Sequence, residues 1–101
     1  MNITRDIYIS AGSNLGDRKA NLSEGLQLLR AAGVQPTIVS AFFETEPVGN
    51  RAHPWFLNLA LEVETLMPPQ ELLRCCLQIE FSRGRVRSLW GAPRTLDLDI
   101  L

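Results

Sequence analysis

Apolar and polar residues alternate most cleanly over residues 56–64. Leu57, Leu59, Leu61 and Val63 fall on one side, and Phe56, Asn58, Ala60, Glu62 and Glu64 on the other. A period of two is the signature of a half-buried β-strand. The same period recurs over residues 95–101, with Leu96, Leu98 and Ile100 directed inward and Thr95, Asp97 and Asp99 outward. Residues 7–11 predict a first strand with Ile7, Ile9 and Ala11 on one face, and residues 37–43 predict a weaker second strand. Two segments carry the helical period instead. After the turn Gly12-Ser13-Asn14-Leu15-Gly16-Asp17, Leu22, Leu26 and Leu29 form a stripe that Asp17 is placed to cap and Gly33 to stop. Pro68 and Pro69 suit the first turn of a helix reaching about Phe81, with Leu72, Cys76 and Ile79 facing inward.

The resulting order, β-α-β-β-α-β, predicts an α+β fold of the ferredoxin-like type. In it an antiparallel sheet carries two helices on one face and leaves the other face open. If the apolar sides of the third and last strands meet the helices, Phe56, Asn58, Asp97 and Asp99 emerge together on the open face. The sequence stops at Leu101 inside its last predicted strand, which reads as a truncation.

The 101 residues have room for one domain spanning 1–101, so a single domain rather than a multidomain enzyme is expected. Its 46% hydrophobic and 21% charged residues are ordinary globular usage. A net charge of −1 argues against charge-driven binding to nucleic acid or membrane. No apolar run approaches the roughly 18 residues of a membrane span, and no signal sequence opens the chain, so a cytoplasmic protein without a membrane partner is expected. Cys75 and Cys76 are adjacent in a helical segment, where their side chains diverge, and Cys76 reads as a small core residue.

Chemistry concentrates near the C-terminus. Asp97 and Asp99 lie one residue apart on a strand, hence on one face and roughly 6.6 Å apart. Carboxylates so placed can share Mg²⁺, although Asp-x-Asp is also a common acidic solvent face. Four of the ten basic residues, Arg83, Arg85, Arg87 and Arg94, lie in the acid-free stretch 83–94 leading into that strand. Guanidinium groups bind phosphate oxygens bidentately, so this loop beside a carboxylate pair suits transfer from a nucleoside triphosphate; otherwise it is a solvated surface loop. Phe56 and Asn58 share the Asp97/Asp99 face and suit a planar heterocycle, or serve the strand alone. Residues 12–16 lack the Gly-Lys-Ser/Thr ending of a P-loop and read as a strand-to-helix turn, and His53 reads as a surface residue.

Gly84-Arg85-Val86-Arg87, followed by Pro93-Arg94-Thr95-Leu96-Asp97-Leu98-Asp99-Ile100, resembles the signature of the 6-hydroxymethyl-7,8-dihydropterin pyrophosphokinase family. Gly12-Ser13-Asn14-Leu15, Thr45-Glu46-Pro47-Val48-Gly49, Phe56-Leu57-Asn58 and Ile79-Glu80 match in family order across nearly the whole chain. The resemblance implies transfer of pyrophosphate from ATP to the pterin hydroxymethyl group, with release of AMP, in folate synthesis. It implies Asp97 and Asp99 as ligands of two Mg²⁺ ions. Arg85 and Arg94 would grip the triphosphate with help from Arg87, and Glu80 and Ile100 would lie near the nucleotide. Asn58 would read the pterin edge and Phe56 would stack on its ring, with Thr45 and Val48 contacting it through backbone groups and Trp90 as a lid. Arg85, Arg94 and Asp99 would serve catalysis, Asp99 by helping remove the hydroxyl proton. A monomer acting on ATP and the pterin, with no nucleic-acid partner, is the implied state.

The match departs from the family in two ways. Trp90 stands one position early relative to Arg94, and one expected arginine is missing. Family members continue for several dozen residues beyond this strand, so the resemblance implies that a chain of this extent keeps the fold and the metal site yet binds substrates poorly or is inactive. The competing reading is a non-catalytic ferredoxin-like module, for regulation by a small molecule or for RNA. Glu62 and Glu64 on the strand of Phe56 count against RNA.

Overall fold

The computed structural model describes residues 4–47, 53–84 and 94–101. Among these, the chain runs β1 (Thr4–Ser13), α1 (Arg18–Ala31), β2 (Val34–Val39), β3 (Phe43–Thr45), β4 (Phe56–Thr65), α2 (Pro69–Ser82) and β5 (Asp97–Ile100). The strands form one sheet in the order β2-β4-β1-β5, with β3 also paired to β4, and every pairing is antiparallel. β2 and β3 occupy successive stretches of the same edge of β4, so they act as two halves of one edge strand. The order is therefore that of the ferredoxin-like split unit anticipated from the sequence.

Both helices pack on one face. Leu22 and Leu29 of α1, with Leu72, Cys76 and Ile79 of α2, meet Ile9, Ala11, Leu57, Leu59, Leu61, Val63 and Leu98 of the sheet in one buried cluster. α1 starts where Asp17 Oδ1 accepts the Ala20 N–H at 3.1 Å, occupying one of the four orphan donors of a helix start. It ends before Gly33, whose φ of +94° turns the chain straight into β2. Gly25 lets α1 settle on Leu96, since a Cβ there would stand 3.0 Å from a Leu96 methyl. An Arg83–Glu24 ion pair joins the end of α2 to α1.

Two sequence expectations need correction. The second strand was expected over residues 37–43; it is instead β2 from Val34 and a separate β3 from Phe43. Pro36 masks the early start, because a residue without an N–H is tolerated in an edge strand but weakens its signature, and the β2–β4 register shifts between Pro36 and Ile38. Ser40 accounts for the break: its hydroxyl accepts the Ala60 N–H at 2.8 Å while its own N–H donates to the Ala60 carbonyl at 2.9 Å. A side chain thus stands in for a ladder carbonyl and ends β2. Ile100, expected inside, is 37% exposed at the rim of β5.

Candidate active site on the open sheet face

Register decides which side chains share the uncovered face. Asn58 pairs with Gly12 and Gly12 with Asp97, so Asn58 and Asp97 flank a residue with no side chain. The next row on that face is Ala60, Ser10 and Asp99, and the one beyond sets Glu62 opposite Tyr8. Phe43 extends the first row outward from Asn58, and Phe56 pairs with Thr45 one step along. With neighbouring strands about 4.8 Å apart, the Asn58 and Asp97 backbones stand about 10 Å from each other across β1.

Gly12 shapes the floor of this surface. A Cβ at that position would stand 2.8 Å from Asn58 Oδ1 and 3.3 Å from Phe56 Cδ1, so its absence is what lets both side chains lean over β1. Asn58 is nearly buried and its orientation is fixed: Nδ2 donates to Thr45 Oγ1 at 2.9 Å and to the Phe43 carbonyl at 3.2 Å. The amide therefore turns its oxygen, an acceptor, toward the Gly12 gap. Thr45, expected to act through its backbone, also places this side chain.

On the other flank, Arg94 Nη1 lies 3.1 Å from Asp97 Oδ1, both side chains being largely buried. Asp99 is exposed, on the same face as Asp97. Two hard carboxylate donors on one face, with a guanidinium alongside, fit a Mg²⁺ site completed by phosphate oxygens and water. Among the described residues no third carboxylate, His or Cys joins them in a cluster, which leaves coordination positions for a ligand. Glu80 sits beneath the outer edge of β5, 1% exposed, with Oε2 accepting the Leu98 N–H at 2.7 Å. It thereby fixes the residue between the two aspartates from the α2 side.

The charges around this surface differ from end to end. Glu62, then burial and then Asp6, raise the Tyr8 phenol above its ordinary pKa, so carboxylates surround the far end of the face. Beneath the sheet, burial, followed by the charges of Cys75, Glu80 and Asp99, pushes the Cys76 thiol up to about 12, which makes it inert at neutral pH.

Of the residues singled out from the sequence, Thr45, Phe56, Asn58, Arg94, Asp97 and Asp99 are brought to the open face or its rim, while Glu80 and Ile100 lie at the β5 edge. Val48, Arg85, Arg87 and Trp90 lie outside the described residues. Two contributors were missed by sequence reading. Gly12 reads from the sequence as part of a turn, although a glycine inside a strand pattern is itself a sign of close approach. Asn14, 2% exposed, joins the two flanks: its Oδ1 accepts the Arg94 N–H at 2.6 Å, its N–H donates to the Arg94 carbonyl at 3.0 Å, and its Nδ2 donates to the Pro54 carbonyl at 3.1 Å.

Comparison with known proteins shows the family of the chain. The family model described as 7,8-dihydro-6-hydroxymethylpterin-pyrophosphokinase matches residues 8–101. A 2-amino-4-hydroxy-6-hydroxymethyldihydropteridine pyrophosphokinase of Bacillus subtilis is 47% identical over 95 residues, covering 93% of this chain and 57% of that protein. The protein of the same name from Methylorubrum extorquens is 40% identical over 95 residues, covering 93% of this chain and 60% of its own length. A mitochondrial folate synthesis bifunctional protein of Pisum sativum is 40% identical over 96 residues, covering 95% of this chain and 19% of that protein. The chain thus spans under two thirds of the length of each of these relatives. With a family match that takes in nearly all of its sequence, the chain belongs to the 7,8-dihydro-6-hydroxymethylpterin-pyrophosphokinase family.

Proposed function

We propose that residues 1–101 form one pterin pyrophosphokinase-like domain. Its open sheet face binds ATP at the Asp97/Asp99 flank and 6-hydroxymethyl-7,8-dihydropterin at the Asn58 flank. The observation that carries this reading is the row Asn58, Gly12, Asp97: a fixed amide acceptor and a carboxylate pair face each other across a side-chain-free floor. The reaction is transfer of the terminal diphosphoryl group. The pterin hydroxymethyl oxygen bonds to the β-phosphorus, the bond from that phosphorus to the α–β bridging oxygen breaks, AMP leaves with the electron pair, and the hydroxyl proton is released.

The chain's own residues position and neutralise rather than form a covalent intermediate. Asn58 accepts an N–H from the pterin edge, Phe56 lies along its ring, and Thr45 holds Asn58 in the accepting orientation. In this reading Val48 and Trp90 would contact the pterin as well. Arg94, with Arg85 and Arg87, binds phosphate oxygens, and Glu80 and Ile100 border the nucleotide. Asp97 and Asp99 would hold Mg²⁺, two ions in this reading, and Asp99 would also help remove the hydroxyl proton. Bound Mg²⁺ supplies charge neutralisation on the phosphates. The same proposal describes a cytoplasmic monomer acting on two small molecules, without nucleic-acid or membrane partners; no helix among the described residues is long and apolar enough to cross a membrane.

The test is product analysis with Mg-ATP and the hydroxymethyl pterin. Any turnover the chain supports is expected to yield AMP and the pterin diphosphate in equal amounts, and Mg²⁺-dependent nucleotide binding is expected with or without turnover. Absence of AMP together with absence of Mg²⁺-dependent nucleotide binding overturns the reading.

A further inference from the structure

We infer that Asn14 is a positioning residue that registers the nucleotide flank of the site against the pterin flank, an inference that rests on the function proposed above. Three hydrogen bonds carry it. The Asn14 backbone N–H and side-chain Oδ1 clasp both backbone groups of Arg94, at 3.0 and 2.6 Å, fixing the residue whose guanidinium lies on Asp97. Its Nδ2 donates to the Pro54 carbonyl at 3.1 Å, two residues before Phe56 opens β4. One side chain, 2% exposed, thus spends its acceptor on the start of β5 and its donor on the entry to β4.

Neighbouring contacts hold Asn14 in turn. Asn21 of α1 donates to Ser13 Oγ at 3.2 Å and to the Leu15 carbonyl at 2.8 Å, bracketing Asn14 from both sides along the chain. Arg18 reaches the Trp55 carbonyl at 3.1 Å, so the first turn of α1 grips the residue next to Pro54. The Gly12-Ser13-Asn14-Leu15 segment is more than a strand-to-helix turn: it is the joint through which Arg94 and the Phe56 entry share one reference point. Asn14 touches neither substrate in this arrangement. Its effect on binding passes through the positions of Arg94 and of residues 54–56.

The split between acceptor and donor makes the role testable. Asn14→Asp keeps an oxygen for the Arg94 N–H but sets a second oxygen against the Pro54 carbonyl; Asn14→Ala removes both side-chain bonds. The measurements are dissociation constants for a non-hydrolysable ATP analogue with Mg²⁺ and, separately, for the hydroxymethyl pterin, with hydrogen exchange of the Arg94 amide followed by NMR. For Asn14→Asp, pterin binding is expected to weaken roughly tenfold and nucleotide binding less than about threefold, with the Arg94 amide still protected. For Asn14→Ala both affinities fall and Arg94 exchange accelerates at least roughly tenfold. Val63→Ala, a core change on the opposite face, lowers stability but moves neither affinity by more than about twofold. Equal weakening of both ligands by Asn14→Asp, or an Arg94 amide that stays protected in Asn14→Ala, overturns the inference. If Asn14→Asp does not fold, the Asn14→Ala exchange result decides by itself. A wild-type chain that binds neither ligand defeats the proposed function, while the Arg94 exchange comparison still decides whether Asn14 positions that segment.

Discussion

Gly12→Ala is the substitution whose effect follows most directly from the geometry of the open face. Gly12 does not need glycine for its backbone, since it is not among the residues with positive φ. The obstacle is space: the new methyl would stand 2.8 Å from Asn58 Oδ1, where ordinary contact begins at 3.4 Å, so the amide must withdraw by roughly 0.6 Å. Withdrawal is opposed by the bonds of Nδ2 to Thr45 Oγ1 at 2.9 Å and to the Phe43 carbonyl at 3.2 Å. Weakening one of these costs about 1 kcal/mol. Overpacking adds about 1–3 kcal/mol, and the reduced freedom of the unfolded chain returns about 0.4–1 kcal/mol. The net loss is then about 2 kcal/mol, or a fall of about 8–16 °C in Tm for a domain of this size.

A double-mutant cycle followed by urea and thermal melts isolates the cause. In an Asn58→Ala background the clashing oxygen is gone, so Gly12→Ala should cost less than about 0.5 kcal/mol there, giving a coupling of at least about 1 kcal/mol. Pterin affinity should fall with Gly12→Ala in the otherwise unchanged protein, because the displaced acceptor no longer faces the gap. An equal loss of stability in both backgrounds, or a stabilised Gly12→Ala, would refute the idea that Gly12 exists to seat Asn58.

Leu61, 1% exposed at the centre of the core, should cost about 2–5 kcal/mol when replaced by alanine, a large share of the 5–15 kcal/mol expected for a whole domain, as read by urea denaturation. Asp17→Ala removes the side-chain cap at the start of α1 and should cost about 1 kcal/mol by the same measurement, with Asp17→Ser recovering most of it. Cys76 holds its proton in the folded state up to about pH 12, whereas in the unfolded chain it ionises near its ordinary value of 9.0. The unfolded state therefore sheds a proton first, and stability should decline as pH rises from about 9 toward 12, with Tyr8 adding the same sign above 10. Cys76→Ala should flatten that decline, and an unchanged slope would remove Cys76 as its source.

Much of this fold could be read from local pattern because its central elements face two ways. β4 alternates between core and open face, and α1 and α2 each carry one inward stripe, so periodicity reported both the elements and their buried sides. The edge was less legible. β2 begins at Val34 through a proline that a central strand would exclude, and it stops at Ser40 because a hydroxyl replaces a carbonyl in the ladder, an event that residue type alone does not announce. At the site, Asp97 and Asp99 shared a face by parity, and their approach to Asn58 followed once strand order placed β1 between them. The parts that were not legible act through absence or through backbone: the missing Cβ of Gly12, the clasp of Asn14 on Arg94, and the bond from Glu80 to the Leu98 N–H. Glu80 did leave a trace, standing four residues after Cys76 on the inward side of α2, where an unpartnered carboxylate would be costly.

The central claim is that Asp97 and Asp99 act together on the open face as the cation-binding half of a nucleotide site. Its most direct test is calorimetric titration of a non-hydrolysable ATP analogue with and without Mg²⁺, in the wild-type chain and in Asp97→Asn/Asp99→Asn. The account predicts Mg²⁺-dependent binding in the wild type that weakens at least roughly a hundredfold in the double variant, whose Tm stays within a few degrees of the parent. Nucleotide affinity that ignores Mg²⁺, or that survives loss of both carboxylates, would contradict it.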